Sequence, residues 1–425
     1  MHSDPPDPLR PDAASEPPPQ PAAPDAGPAA ALRLSLSADA ASRLRRHPLL
    51  GALGEGGRAA RGEVHLVYWD TPDLDLAAAG LALRLRRAGQ HHVQTLETPI
   101  GVGLAAARSR ELDALLPGDR PDPGAVPDHA LRARLAECVE GRSLAPVFEV
   151  RLDRSRRTLH EDGSALRLDL DVGELRSAWG GFPICEVEIA GRGGDPSHPF
   201  RLALELLEDL PLRPLGRGLA ARGVERVSGR GPAAHKARPI AVDPGAHLEE
   251  LLAAVVGGCH AQLVENESAA LLGVDPEGVH QMRVGARRLR SALAFFGPVL
   301  PERQRGWLRD ELRWLAGALG PARDLDVFAT ELLDPLLPED AALARLRDAA
   351  QDAREEAQGG VRAALESPRW PRLVLETAAW GARRAWREQA LSADSAKLFL
   401  PAPLFTDPVL ARRHKRARRL GRQLA

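Results

Sequence analysis

The chain has 425 residues, 44% of them hydrophobic and 27% charged, and its 57 Lys and Arg against 58 Asp and Glu leave a formal net charge of −1. That length predicts two ordered domains, the even charge balance argues against a uniformly basic nucleic-acid binder, and no apolar run approaches the roughly 20 residues needed to cross a bilayer. Cys138, Cys185 and Cys259 stand far apart without CxxC or Cys/His spacing, which argues against a zinc site or a disulfide framework.

Residues 1–30 are rich in Pro, Ala and Asp and lack the basic and apolar regions of a leader. They predict a disordered tail on a protein that stays in the cytoplasm. From 31 to 229 the pattern has period two, as in ALRLSL, LALRLRR, LRLDLDVG and CEVEIA. Such alternation predicts antiparallel strands with one apolar face, Leu81, Leu83 and Leu85 opposing Arg84 and Arg86, and Leu166, Leu168 and Leu170 opposing Arg167, Asp169 and Asp171. Short helices are expected at 38–50 and 199–209. The Gly/Pro-rich stretch 230–245 reads as a linker. From 246 to 425 apolar residues recur every three or four positions, as in Trp307, Leu308, Leu312, Leu315 and Leu319, predicting an all-α bundle. The fold class expected is therefore α+β and multidomain, antiparallel β first and a helix bundle second.

Two helices of the bundle carry one-signed charge. In VHQMRVGARRLRSALAFF, residues 279–296, His280, Arg283, Arg287 and Arg290 share one arc beside an apolar arc of Met282, Ala286, Leu289, Leu293 and Phe296, and no acid occurs between Glu277 and Glu302. Near the end of the sequence Arg412, Lys415, Arg419 and Arg422 repeat the spacing with no acid from 408 to 425. Such stripes face a solvated surface, acids on other helices, or a polyanion. Aromatics make up only 4% of the chain and neither stripe interleaves them for base stacking, so polyphosphate fits better than RNA or DNA. The histidines outside the stripe, such as His91, His92 and His235, read as surface residues.

With LAGALGPARDLDVF at 315–328, these residues resemble the CHAD domain: the H-x-x-R-x-x-x-R-R-x-R and G-x-x-R-D-x-D spacings are both present. The resemblance implies a helical module that binds inorganic polyphosphate, with His280, Arg283, Arg287, Arg288, Arg290 and Arg323 facing phosphate and Asp324 and Asp326 ordering those arginines or capping a helix. It also implies a second basic helix that the sequence does not reach before Ala425, so a shortened CHAD domain is expected. YWDTPDLDL, GLALRLRR, VQTLE and PICEVEIA resemble the CYTH, or triphosphate tunnel, fold over 31–229. That resemblance implies a β-barrel whose lumen holds a triphosphate against Arg84, Arg86, Arg110 and Arg151, with Glu186 and Glu188 as a metal pair for Mg or Mn and Asp169 and Asp171 as weaker ligands.

The usual E-x-E-x-K strand is replaced by Ala31, Arg33 and Ser35, Glu97 and Leu219 stand where lysines are usual, and residues 1–235 contain no lysine. Arginine can clamp phosphate but stays protonated and cannot act as a base. The expectation is thus polyphosphate, or another phosphate polyanion, bound by the basic helices next to a degenerate tunnel. The alternative is a metal-dependent inorganic triphosphatase yielding diphosphate and phosphate. No membrane partner is expected, nucleic acid is disfavoured, and association with polyphosphate granules in the cytoplasm follows from the leading reading.

Overall fold

The computed structural model describes residues 31–54, 59–99, 109–229, 231–336 and 343–422; the tail expected at 1–30 lies outside these. The first domain is built from β1 (Ala31–Ser35), β2 (Ala60–Asp70), β3 (Ala82–Ala88), β4 (His91–Pro99), β5 (Ser109–Leu116), β6 (Ala145–Glu161), β7 (Ser164–Ser177), β8 (Gly180–Arg192) and β9 (Arg213–Pro214). They form one antiparallel sheet in the order β5-β4-β3-β2-β6-β7-β8-β1-β9. The long β6–β7 hairpin is closed by Asp162-Gly163, both at positive φ (46° and 76°), the conformation that a two-residue turn matched to strand twist requires. The sheet curls so that residues of β1 to β8 line a single lumen, while its edge strands β5 and β9 are not paired with each other.

The opposite face of β1, β7 and β8 is apolar, as the alternation predicts. Leu32, Leu34, Leu166, Leu168, Leu170, Val187 and Ile189 pack under α1 (Ala38–Leu44) and α5 (His198–Leu207), with α2 (Pro48–Ala52) at the margin. Near the other end, α3 (Asp75–Ala78) and α4 (His129–Val139) cover Leu81, Leu83 and Leu96. The lumen is plugged at one mouth by α6 (Leu219–Ser228), whose Leu219 meets Leu66, Tyr68, Phe148, Val150 and Leu152.

The second domain comprises α7 (Leu248–Glu265), α8 (Glu267–Leu272), α9 (Glu277–Phe295), α10 (Glu302–Val327), α11 (Ala344–Glu366), α12 (Arg369–Ala382) and α13 (Pro403–Gly421). The apolar arc predicted for α9 is buried, Met282, Ala286 and Leu289 completely, against Leu308, Leu312, Leu315 and Leu319 of α10 and Leu252, Val256 and Leu263 of α7. Gly297-Pro298 ends α9, since proline has no N–H to continue the ladder.

Residues 231–246 form no helix or strand, yet they are fastened down. The buried Asn266 accepts the His235 N–H (2.8 Å) and donates to the His235 carbonyl (2.9 Å). His235 is half-buried rather than on the open surface, and burial followed by the charges of Arg217 and Arg238 lowers its pKa to about 4.

The domains also share a core. Leu375 and Ala378 of α12 are buried in the apolar cluster of β1, β7, β8 and α5, and Arg213 of β9 pairs with Glu267 of α8 at 2.5 Å. Replacing Leu375 with Ala is therefore expected to cost about 2–5 kcal/mol and to speed amide exchange in β7 and β8 as well as in α12. Exchange changes confined to the helical half would contradict a shared core.

His260 of α7 is buried, its Nε2 3.0 Å from the Val374 carbonyl, and burial lowers its pKa to about 4 despite that bond. A histidine held neutral stabilises fully above its unfolded pKa of roughly 6.5 and loses that contribution as pH falls toward the folded value. Urea unfolding between pH 7 and 4.5 should show a larger loss of stability for the parent than for His260→Gln.

Candidate functional site

The lumen of the sheet is a cavity of about 460 Å³ into which Arg33, Arg84, Arg86, Arg154, Arg156 and Arg167 project against Glu97, Glu111, Asp113, Asp171, Glu186 and Glu188. Six positive and six negative side chains sum to zero, and most of them are already matched. Arg33 Nε donates to Glu188 Oε2 at 2.7 Å and Arg167 donates to Glu188 Oε1 at 2.6 Å. Arg154 grips Asp171 through two 2.7 Å bonds, and Arg156 grips the buried Asp169 in the same bidentate way. Arg84 Nη2 donates to Glu111 at 2.9 Å while its Nε lies 2.5 Å from Glu97 in an ion pair without hydrogen-bond alignment. Arg222 of α6 reaches Glu186 at 2.6 Å in a similar ion pair. Among the described residues, Arg86 is the lumen arginine without a carboxylate partner.

The electrostatics follow this pairing. Burial alone would raise the Glu188 pKa, but Arg33 and Arg167, through charge and hydrogen bonds, outweigh it and hold the carboxyl at about 2. For Glu111 burial prevails over Arg84 and pushes the carboxyl up. Tyr68, also buried at the lumen wall, has its hydroxyl pKa raised by burial and by Glu97.

Of the four arginines expected to contact a triphosphate, Arg84 and Arg86 face the lumen and Arg110 and Arg151 do not. Arg110 is exposed and bonded to Asp128 at 3.0 Å, and Arg151 pairs with Glu149 at 3.3 Å on the outer face of β6. The parity of β6 explains the error. Its inward face begins apolar, with Phe148, Val150 and Leu152 beneath α6, and becomes charged only at Arg154 and Arg156, so the cationic lumen residues lie in register with the apolar ones. Arg33, Arg154, Arg156 and Arg167 are thus lumen residues that sequence reasoning did not assign to phosphate.

The metal pair fares differently from its expectation too. Glu186 and Glu188 do share the lumen face of β8, but guanidinium groups engage both oxygens of Glu188 and one of Glu186, and Asp169 and Asp171 are each held bidentate by an arginine. A hard divalent cation needs several carboxylate, carbonyl or water oxygens at about 2.0–2.6 Å. This donor set does not fit one unless Arg33, Arg167 or Arg222 is displaced.

In the helical domain α9 packs against α10, and a Cβ at Gly320 of α10 would lie 3.1 Å from Arg283 Nη1 of α9. The glycine of the G-x-x-R-D-x-D segment therefore makes room for an arginine of the facing helix. Asp324 pairs with Arg283 at 3.6 Å, and Asp326 with Arg354 at 2.8 Å, so both acids order arginines; they lie in the last turn of α10 and cap no N-terminus. Arg323 pairs weakly with Glu331 at 3.4 Å. Arg288 turns toward α7 and donates to Gln262 at 2.7 Å, while His280 is half-buried. Arg287 and Arg290 are exposed and, among the described residues, have no carboxylate partner.

The second stripe belongs to α13, which packs through Phe405 and Val409 and is exposed at every described position from Leu410 onward. Arg412 bonds only a carbonyl of its own helix, and no carboxylate partner is found for Lys415, Arg419 or Arg422 among the described residues. The stripe is joined to α9 by a residue outside the predicted set. Arg413 lies over the Phe295 ring, 5.2 Å from its centre, and donates to the Ala294 carbonyl at 3.0 Å. Arg287, Arg288 and Arg413 thereby border one groove of about 630 Å³ between α7, α9 and α13.

A curled antiparallel sheet around a charged lumen, followed by a helical domain with one-signed basic helices, defines the class of this molecule. Family models agree: the CYTH domain matches residues 34–222 and the CHAD domain matches 254–425, so the chain carries a CYTH domain followed by a CHAD domain. Two uncharacterised Mycobacterium tuberculosis proteins are 29% identical over 330 residues, covering 73% of this chain and 62% of their own length. The chain thus spans less than two thirds of the length of these relatives. Among solved structures, the CHAD domain from the plant Ricinus communis is 38% identical with a TM-score of 0.33, covering 38% of this chain and 55% of that one. An adenylyl cyclase homologue from Hippeastrum, described as having a dominant triphosphatase activity, is 19% identical with a TM-score of 0.32, covering 47% of this chain and 95% of that one. CYTH proteins are metal-dependent as a family. No described helix is long and apolar enough to cross a membrane.

Proposed function

We propose that this chain binds inorganic polyphosphate, or a phosphate polyanion of the same kind, through the basic helices of its CHAD domain, and that its CYTH domain is a degenerate triphosphate tunnel. The observation that carries the reading is the contrast in pairing. Arginines of the lumen, Arg86 excepted, are matched by carboxylates, whereas Arg287 and Arg290 of α9 and the stripe of α13 are exposed and, among the described residues, have no such partners. Like charges held on one helix face repel one another, and a chain of phosphates relieves that repulsion while releasing its own counterions. Arg283, Arg323 and Arg413 extend the same surface, with His280 beside them.

The lumen argues the other way for triphosphate. A substrate carrying four or five negative charges would enter a site with no net positive charge and would have to break arginine pairs, each costing about 3–5 kcal/mol when one partner is left buried and alone. Hydrolysis assisted by Mg or Mn would further require Glu186 and Glu188 to be released from their arginines. The placement consistent with this reading is the cytoplasm, on polyphosphate granules.

The test is titration with long-chain polyphosphate at two salt concentrations, using the parent and the Arg283→Ala/Arg287→Ala/Arg290→Ala variant. The variant is expected to bind at least ~10-fold more weakly with a shallower salt dependence, by about two to three phosphate contacts, while Arg84→Ala binds like the parent. Equal binding by the parent and the triple variant would falsify the assignment to α9. Duplex DNA competing equally at matched phosphate concentration would instead favour a nucleic-acid ligand.

A further inference from the structure

Arg33 projects into the lumen that Glu97, Glu186 and Glu188 also line. Arg33 lies in register with Glu188 across the β1–β8 ladder, and the neighbouring pair in that register is Ser35 with Glu186. Glu188, Glu97 and Glu186 all act on the Arg33 guanidinium, raising its pKa although burial opposes the shift. Glu97 comes from β4 and lines the same lumen, so carboxylates of two separate strands share it with one arginine donated by a third.

We propose that Arg33 is the resident cation of the tunnel: its guanidinium fills the position among Glu97, Glu186 and Glu188 that a divalent metal would occupy, which makes the lumen independent of Mg²⁺ and Mn²⁺. This inference rests on the lumen geometry and is separate from the polyphosphate reading of α9.

The chemistry supports a substitution over coexistence. Glu188 gives one oxygen to Arg33 at 2.7 Å and the other to Arg167 at 2.6 Å, and Arg222 lies 2.6 Å from Glu186. A divalent ion placed among these carboxylates would sit within a few ångströms of three guanidinium charges, in a lumen where water screens them poorly. It would also lose the lone pairs that hard cations require. A planar guanidinium, by contrast, satisfies carboxylates with directed N–H donors and needs no dehydration of a divalent ion. Position 33 therefore decides whether this carboxylate cluster takes a metal.

The experiment is Mn²⁺ titration of the full chain, with free Mn²⁺ read by electron paramagnetic resonance and the melting temperature followed in parallel. The parent is expected to leave Mn²⁺ free and to melt at the same temperature with or without it. Arg33→Glu, which removes the resident cation and adds a ligand, is expected to take up one Mn²⁺ per chain and to gain thermal stability from it. Arg33→Gln, neutral and of smaller perturbation, provides the same reading should the glutamate variant fold poorly, with Mn²⁺ affinity rising at least ~10-fold as the repulsion is removed. A parent that binds one Mn²⁺ and loses it in Glu188→Gln would overturn the proposal. So would a folded Arg33→Gln that binds Mn²⁺ no better than the parent.

Discussion

Charge confined in a narrow cavity has to be neutralised close at hand, and the first domain is organised by that requirement. Seven strands turn ionised side chains into one lumen of about 460 Å³, where leaving an arginine or a carboxylate unpaired is costly. The sheet meets the requirement with ladders of opposite charge on adjacent strands: Arg33 beside Glu188, Arg154 beside Asp171, Arg156 beside Asp169. Strand register places each pair directly across the ladder, so the register that builds the sheet also brings opposite charges of its interior together. The lumen is consequently stable as it stands, and a strongly anionic guest competes with the protein's own carboxylates.

The helical domain solves a different problem. Its core is apolar and continuous, from α7 through α9 to α10. Its arginines are therefore free to stay at the surface. The interior-facing ones are positioned by acids and amides, Arg283 by Asp324 and Arg288 by Gln262, while Arg287 and Arg290 face solvent. The join between the domains, with Leu375 and Ala378 inserted into the core of the first, ties a charged but neutral lumen to a surface of one sign.

Much of this was legible in the sequence. Alternation in LALRLRR and LRLDLDVG placed Leu83 and Leu168 on an apolar face and Arg84 and Arg167 on the charged face opposite, which the resemblance made the lumen, and three-and-four spacing placed Met282 and Leu289 on the apolar arc beside Arg283 and Arg287. What escaped depends on partners distant in the chain. Arg33 looked like the loss of a glutamate, because its partner Glu188 lies 155 residues away. Arg151, named with the resemblance, falls on the outer face, and Arg154 and Arg156 went unnamed; β6 changes from apolar to charged along its inward face, so alternation does not mark them. Nothing local in α12 distinguishes Leu375, which packs on the sheet, from Leu373, which packs in the bundle. Arg413 was passed over since it falls off the stripe of Arg412 and Arg419, and only folding brings Phe295 beneath it.

The division of labour between a self-neutralised lumen and an open basic surface is the centre of this account. It is tested most directly by mapping amide hydrogen exchange in the full chain with and without saturating long-chain polyphosphate. The account predicts protection concentrated in α9 and the second half of α13, with exchange in β1, β3 and β8 unchanged. Protection of those strands with α9 left as it was would contradict it and would place the anion site in the lumen.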